Sequence, residues 1–389
     1  MNINNNTPDI RFNGFIDDWI EGKVRDVLKI KSGMSQKNIE VTGGIYPILA
    51  TGGEIGRTNI PLYDKESVLI GRKGTIDKPY YMNSPFWTVD TLFYSELSKE
   101  ASGLFIFTLF QKIQWRKLNT STGVPSLTSS TIHSIPISFP KKPEQIAIGE
   151  YFQHIDKTIT IYRSKHEKTK ILKNNFLSRM FPQAEEDQPK IRLKNFNEEW
   201  TDKKLGDIGY TYTGLSGKTK HDFGHGSAKY VTYMNVYSNT LSSVTMLDNV
   251  EVDSRQNLVE KGDVLFTTSS ETPEEVGMSS VWQHNYYPIY LNSFCFGFRL
   301  TQEVDLNYIA FMLRSDKVRS KIILLAQGIS RFNISKKAMM EIEVPLPTMK
   351  EQIAIGQFFK QLDDTLALQA KQLKALENLK KALLAKMFV

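Results

Sequence analysis

The hexapeptide Glu144-Gln145-Ile146-Ala147-Ile148-Gly149 recurs unchanged as Glu351-Gln352-Ile353-Ala354-Ile355-Gly356, 207 residues further along the chain. The same register pairs Phe152 with Phe359, Asp156 with Asp363, Thr158 with Thr365, Leu172 with Leu379, Lys173 with Lys380 and Met180-Phe181 with Met387-Phe388. A second block repeats at a shorter offset of 181: Pro8-Asp9-Ile10-Arg11-Phe12 answers Pro189-Lys190-Ile191-Arg192-Leu193. That register also matches Trp19 with Trp200, Lys23 with Lys204, Asp26 with Asp207 and Gly33 with Gly214. The offset therefore grows by 26 residues, from 181 to 207, between the two blocks. A solenoid repeats throughout its length at a period of roughly 20–50 residues. This chain keeps the ends of its unit and varies the middle, so it must fold as two unlike heads on two matching segments.

The matching segments are helices by pattern. Leu362, Leu366, Gln369, Leu373, Leu376, Lys380, Leu383 and Met387 succeed one another at spacings of four and three. That is a coiled-coil seam with two polar interruptions. The equivalent positions Ile155, Ile159, Tyr162, His166, Thr169, Lys173, Phe176 and Met180 form a more polar seam. Pro143 suits a first helical turn, where an N–H has no partner, and Glu144 and Glu150 lie near the positive end of the dipole. Pro182 ends the run. A helix of this size is about 55–60 Å long at a rise of 1.5 Å per residue. Its apolar stripe needs a cover, and the expected one is the other helix, packed antiparallel with the heads at opposite ends. The alternative is that each long helix packs on its own head.

The heads carry turn signals, Thr42-Gly43-Gly44, Thr51-Gly52-Gly53 and Gly71-Arg72-Lys73-Gly74, between short apolar runs such as Ser67–Ile70, Phe86–Val89, Asp263–Thr267 and Ile289–Leu291. Helices are expected over Gly103–Arg116 and Leu306–Leu325. The fold class is α+β: two mixed α/β heads separated by two long antiparallel helices, related by a pseudo-twofold repeat. The expected boundaries are a head at 1–140, a helix at 141–182, a polar linker at 183–190, a head at 191–347 and a helix at 348–389.

Composition narrows the partners. A formal charge of +7 and a pI near 9.1 favour an acidic partner, of which nucleic acid is the commonest. The one cysteine, Cys295, lies in the apolar run Phe294-Cys295-Phe296, which excludes an internal disulfide framework and suits packing in a reducing compartment. The polar run Met1–Thr7 has no signal-peptide character, and no stretch approaches the ~20 apolar residues that span a bilayer. The expected location is cytoplasmic.

Several fragments imitate catalytic signatures. Asp9, Glu21 and Lys23 fit the loose carboxylate–carboxylate–lysine pattern of metal-dependent nucleases. The repeat is a control on that reading, because the residue equivalent to Asp9 is Lys190. Gly214–Thr219 resembles a phosphate-binding loop but has Tyr212 where the first glycine belongs. Asp222-Phe223-Gly224 lacks its kinase companions, and Asn83-Ser84-Pro85-Phe86 lacks the second proline of an adenine-methyltransferase loop. His221 and His225 have no third metal ligand near them in sequence.

Two unlike heads on like helices, with Glu-Gln-Ile-Ala-Ile-Gly opening each helix, resemble the specificity subunit of type I restriction–modification enzymes. Trp19 and Trp200 near the head openings and the turn Gly71-Arg72-Lys73-Gly74-Thr75 extend the resemblance along the whole chain. It implies that each head is a target recognition domain reading one half of a split site in double-stranded DNA. It also implies that the helices bind two modification (methyltransferase) subunits, through Glu144, Gln145, Ile146 and Phe152 and through Glu351, Gln352, Ile353 and Phe359. Restriction subunits that use ATP would join this core. The chain itself would hold no catalytic residue, metal or cofactor, and S-adenosylmethionine, ATP and magnesium would belong to the partners. Candidate DNA contacts in the first head are Arg72, Lys73, Thr75, Lys78 and Tyr80, since a glycine-bounded basic turn approaches phosphate closely and arginine reads guanine bidentately. In the second head they are Lys218, Lys220, Thr268, Ser269, Ser270, Arg331 and Asn333. The competing readings are a stand-alone two-headed DNA-binding regulator and the Asp9/Glu21/Lys23 nuclease.

Overall fold

A computed structural model describes residues 7–183 and 186–389; Met1–Asn6 of the polar start and Ala184-Glu185 of the linker lie outside them. The chain divides into two compact units, one reaching to Ser164 and taking in Lys371–Val389, the other comprising Lys165–Ala370. Each unit therefore combines one head with parts of both long helices.

The first unit begins with β1 (Ile20–Lys23), the single turn α1 (Val24–Val27), β2 (Leu28–Ser32), β3 (Tyr46–Ala50) and β4 (Gly53–Thr58). It continues through β5 (Ser67–Gly71), β6 (Tyr80–Met82), β7 (Trp87–Thr88), β8 (Leu92–Leu97), α2 (Gly103–Lys112), α3 (Ser129–Ser134) and β9 (Pro136–Phe139) into the long helix α4 (Lys142–Arg179). Its sheets have the orders β2-β8-β5-β6, β4-β3-β7 and β1-β9. Within β5, Val68-Leu69-Ile70 is a continuous apolar run because all five residues of the strand are buried.

The second unit holds β10 (Thr201–Lys204), the turn α5 (Leu205–Ile208), β11 (Gly209–Thr213), β12 (Phe223–Val231), α6 (Tyr233–Ser238), β13 (Leu247–Val250), β14 (Val264–Thr267) and β15 (Ser269–Ser270). It then adds β16 (Ser279–Val281), β17 (Ile289–Leu291), β18 (Cys295–Leu300), α7 (Leu306–Met312), α8 (Asp316–Leu324), β19 (Phe332–Asn333), α9 (Lys336–Met340), β20 (Glu343–Leu346) and the helix α10 (Met349–Lys386). The orders β11-β18-β14-β16, β13-β12-β17 and β10-β20 reproduce those of the first unit strand for strand. Even the parallel pairing of β3 with β7 returns, as β12 with β17. Half of the 26-residue difference sits in one place. Two residues, Thr51 and Gly52, join β3 to β4, whereas the fifteen residues Thr232–Met246 join β12 to β13 and include α6.

The expected helix over Leu306–Leu325 is broken into α7 and α8. The hydroxyl of Ser315 donates to Met312 O, and Arg314 turns inward, where its Nη2 donates to the carbonyls of Val236, Tyr237 and Asn239 at 2.9–3.0 Å. The helix yields one turn so that a guanidinium can close the end of α6.

The repeated residues form a frame built twice. Glu144 accepts Nε and Nη2 of Arg11, both at 2.7 Å, and Glu351 accepts the same atoms of Arg192 at 2.8 and 2.7 Å. Gln145 Oε1 accepts the Ser102 N–H at 3.0 Å, just before α2, and Gln352 Oε1 accepts the Asp305 N–H at 3.1 Å, just before α7. The residues just past the end of each long helix plug a head. Phe388 packs against Trp19, Phe105 and Phe152 in the first unit, and Phe181 against Trp200, Tyr308 and Phe359 in the second.

In each unit the two long helices run antiparallel. Asp156 pairs with Lys380 and Arg163 with Glu377 in the first; Thr169 bonds Gln369 and Lys173 pairs with Asp363 in the second. The lysines of the two seams thus make the same Lys–Asp bridge twice, and Gln369 meets Thr169 between them.

Gly149 closes the hexapeptide because α4 crosses α2 there: a Cβ would lie 2.7 Å from Phe105 N and from Leu104 Cβ. Gly149→Ala must push the helices apart, with an expected loss of about 1–3 kcal/mol. Denaturant unfolding of the variant against wild type measures it.

Candidate nucleic-acid interface

The heads differ in sequence, yet backbone hydrogen bonds place their candidate DNA-contacting residues alike. In the first, Lys73 bridges Ser126 and the Leu127 N–H donates to Arg72 O at 2.9 Å. In the second, Ser269 pairs with Asn333 and the Ile334 N–H donates to Thr268 O at 3.0 Å. Both times, the residues just after a buried central strand meet the segment that leads into a short helix. Arg72-Lys73 and Thr268-Ser269 are therefore equivalent positions, and each opens on a cleft.

The first cleft, about 290 Å³, is lined by Arg72, Lys73 and Phe93 and by the hydroxyls of Ser32, Ser126, Thr128 and Ser129. The guanidinium of Arg72 lies 5.9 Å from the centre of the Phe93 ring, and its Nη1 donates to Asp90 O at 3.3 Å. Gly74, at φ 86°, takes the left-handed turn that brings its N–H to Pro125 O at 2.8 Å. Lys73 and Lys78 are exposed and Thr75 is half-buried. The hydroxyl of Tyr80 donates to Thr51 O at 2.9 Å. Arg72 and Lys73 thus line the cleft, while Thr75, Lys78 and Tyr80 do not.

The second cleft, about 360 Å³, brings together Ser269, Ser270 and Arg331 from the expected set. Sequence reasoning missed the other walls: Tyr233, Met234 and Tyr237 from α6, Glu271 and Glu275 beyond β15, and Phe294 before β18. Tyr237 Oη donates to Glu275 Oε1 at 2.6 Å and Ser270 Oγ to Oε2 at 2.8 Å. These two bonds, that of Tyr237 first, hold the Glu275 carboxyl below the usual carboxylate range. Tyr233 stacks on Tyr237 with ring centres 6.2 Å apart and donates to Ser269 O at 2.8 Å. Arg314 anchors this wall, and burial lowers its pKa to about 10, still protonated at neutral pH. The one clue in the sequence was the extra length of the second head, which gives no hint of where the insertion folds.

Lys218 corrects an expectation. Its ammonium lies 3.0 Å from Asp253 and its side chain is only 10% exposed, so it is held inside the second head rather than offered to phosphate. Arg255, and after it Lys218, hold the Asp253 carboxyl well below the usual range. Lys220 stands exposed on a short turn. The loop that imitates a phosphate-binding motif is closed on itself, since Asp222 accepts the Thr219 N–H at 2.6 Å. His225 Nε2 bonds the His221 carbonyl. Among the described residues, no three His, Cys, Asp or Glu side chains converge as metal ligands, and no helix is long and apolar enough to cross a membrane.

The expected partner contacts also change. Glu144, Gln145, Phe152, Glu351, Gln352 and Phe359 are all at most 5% exposed and occupied within the frame, so they hold each head to its helix instead of facing a partner. Ile146 and Ile353 alone of that set are exposed, at 39% each.

The sequence pattern described as the type I restriction modification DNA specificity domain matches residues 16–172 and again 197–378, once per repeat. The specificity subunit of the type I restriction enzyme MjaVIII from Methanocaldococcus jannaschii is 20% identical over 95% of this chain and 91% of its own. Among solved structures, the S subunit of a type I restriction–modification system from M. genitalium superposes with a TM-score of 0.67 at 18% identity. That match covers 98% of this chain and 99% of the other. A chain from a study of complex assembly and conformational transition in the type I R-M system gives 0.52 at 14% identity, over 95% and 97% of the two chains. At these identities the structural likeness speaks for the fold.

Proposed function

The chain belongs to the type I restriction modification DNA specificity family, and we propose that it reads a two-part, asymmetric DNA sequence for a complex whose chemistry is done by partner subunits. The observation that carries this reading is the pair of clefts. They stand at equivalent places on a duplicated frame and are lined by unlike residues, basic with hydroxyls in one and aromatic with carboxylates and Arg331 in the other. Two readers of different chemistry on one repeated scaffold select a non-palindromic site, just as an exact protein twofold selects a palindrome. Basic residues near each cleft supply the sequence-independent hold on phosphate.

Two copies of one partner need two equivalent surfaces. Exposed apolar residues recur on the long helices in the 207 register: Ile146 with Ile353, Ile161 with Leu368, and Leu172 with Leu379. A core position explains itself, whereas an exposed apolar position repeated in both helices supports docking of the same subunit twice. On this reading the partners are two adenine methyltransferase subunits, with ATP-dependent restriction subunits outside them. The methyl donor, ATP and magnesium are bound by those partners, and this chain catalyses nothing.

The test is methylation mapping in a host that expresses the chain with its modification subunit. Exchange of residues 9–140 for another first head is expected to change one half of the methylated site and leave the other intact. Methylation of a single undivided sequence, or loss of both halves on exchange, would sink the proposal.

A further inference from the structure

The two clefts hold the same place in their heads but not the same charge. Where the first presents Arg72 and Lys73, the second presents Glu275 and Glu271 beside Arg331. Phosphate repels carboxylates, so this wall is not built for the DNA backbone. A carboxylate facing a DNA groove accepts instead from the exocyclic amines of bases.

Glu275 is prepared for that role. Both of its oxygens are fixed, Oε1 by Tyr237 at 2.6 Å and Oε2 by Ser270 at 2.8 Å. Each oxygen keeps a further acceptor site, because an ionised carboxylate offers about four in all. The same hydrogen bonds favour the ionised form. Tyr237 belongs to α6, which has no counterpart between β3 and β4, and Arg314 clamps the carbonyls of Val236, Tyr237 and Asn239. The largest insertion that separates the heads therefore ends in one rigidly held carboxylate at the cleft.

We propose that Glu275, set by Tyr237 and Ser270, accepts a hydrogen bond from the exocyclic amine of a cytosine or adenine in the half-site of the second head, making it a specificity-determining residue. The inference rests on the reading of both heads as DNA readers.

The experiment uses the complex of this chain with its modification subunit on the duplex site defined by methylation mapping. Purine replaces adenine, or 2-pyrimidinone replaces cytosine, at one position at a time, the methylated adenines excepted. The expected result is one position in the second half-site where loss of the amine weakens binding about tenfold. With Glu275→Ala, which removes the acceptor, that penalty should fall to about twofold or less, while analogues in the first half-site affect both proteins equally. Tyr237→Phe, which keeps the carboxylate and removes one anchor, should give an intermediate penalty. A second half-site with no amine-sensitive position overturns the proposal with the wild-type complex alone, whatever the variants do. So does an undiminished penalty in Glu275→Ala. A wild-type complex that methylates no two-part site overturns both this inference and the reading beneath it.

Discussion

Phe388→Ala will destabilise the first unit by about 3–5 kcal/mol, the usual cost of removing a buried phenylalanine from a core that cannot collapse around the gap. The ring is the next-to-last residue of the chain, yet it is 4% exposed. It lies 5.3 Å from Phe105, 5.9 Å from Phe152 and 6.1 Å from Trp19, centre to centre. Its loss removes one wall of the first head's core and the anchor for the end of α10. Lys112 would also lose the aromatic face 5.9 Å from its ammonium. Phe181→Ala should act in the same way on the second unit, through Trp200, Tyr308 and Phe359. Denaturant unfolding followed by tryptophan fluorescence measures both. A Phe388→Ala midpoint equal to that of wild type would mean that the end of the chain is not part of the first core.

The comparison of Phe388 with Phe181 also shows what the sequence disclosed. The frame was legible because its work is done by side chains: Trp19 with Trp200, Arg11 with Arg192 and Glu144 with Glu351 kept their identities in two registers. The likeness of the heads was not legible, since it resides in backbone hydrogen bonds. The bond from Leu127 N to Arg72 O and the bond from Ile334 N to Thr268 O ask nothing of the side chains. Lys218 misled for a related reason. A lysine in the polar stretch Gly217-Lys218-Thr219-Lys220 reads as free until the fold brings Asp253, remote in sequence, against it. Glu144 and Gln145, which the resemblance implied as partner contacts, were hidden in the opposite sense: the fold buries both and occupies them with Arg11 and the Ser102 N–H. The insertion was visible only as a change of register. That half of it lies in the connection that holds α6, and that α6 carries Tyr237 to Glu275, depends on tertiary contacts with Arg314 that no local pattern encodes.

Glu351→Ala is expected to cost about 3–5 kcal/mol, because it leaves the Arg192 guanidinium in a largely desolvated place with its counter-ion gone. Glu351 is fully buried, and the side chain of Arg192 is 19% exposed. A guanidinium stays protonated at neutral pH even without its partner, so deprotonation offers no escape from the unpaired charge. Arg192 also donates to Glu198 O, which ties the segment entering the second head to the start of α10; Arg11 ties the first head to α4 through Asp17 O in the same way. If the pair's main service were energetic, the double variant Arg192→Met/Glu351→Leu would be as unstable as the single one. A buried ion pair exchanged whole for apolar residues of similar size is often neutral, so the double variant should recover most of the loss in a double-mutant cycle read by denaturant unfolding. What it should not recover is the direction of the join, since two flexible apolar side chains cannot reproduce a two-pronged guanidinium–carboxylate contact. The double variant is therefore expected to be stable yet to methylate its mapped site more slowly than wild type, and equal rates would show that the bridge does not orient the head.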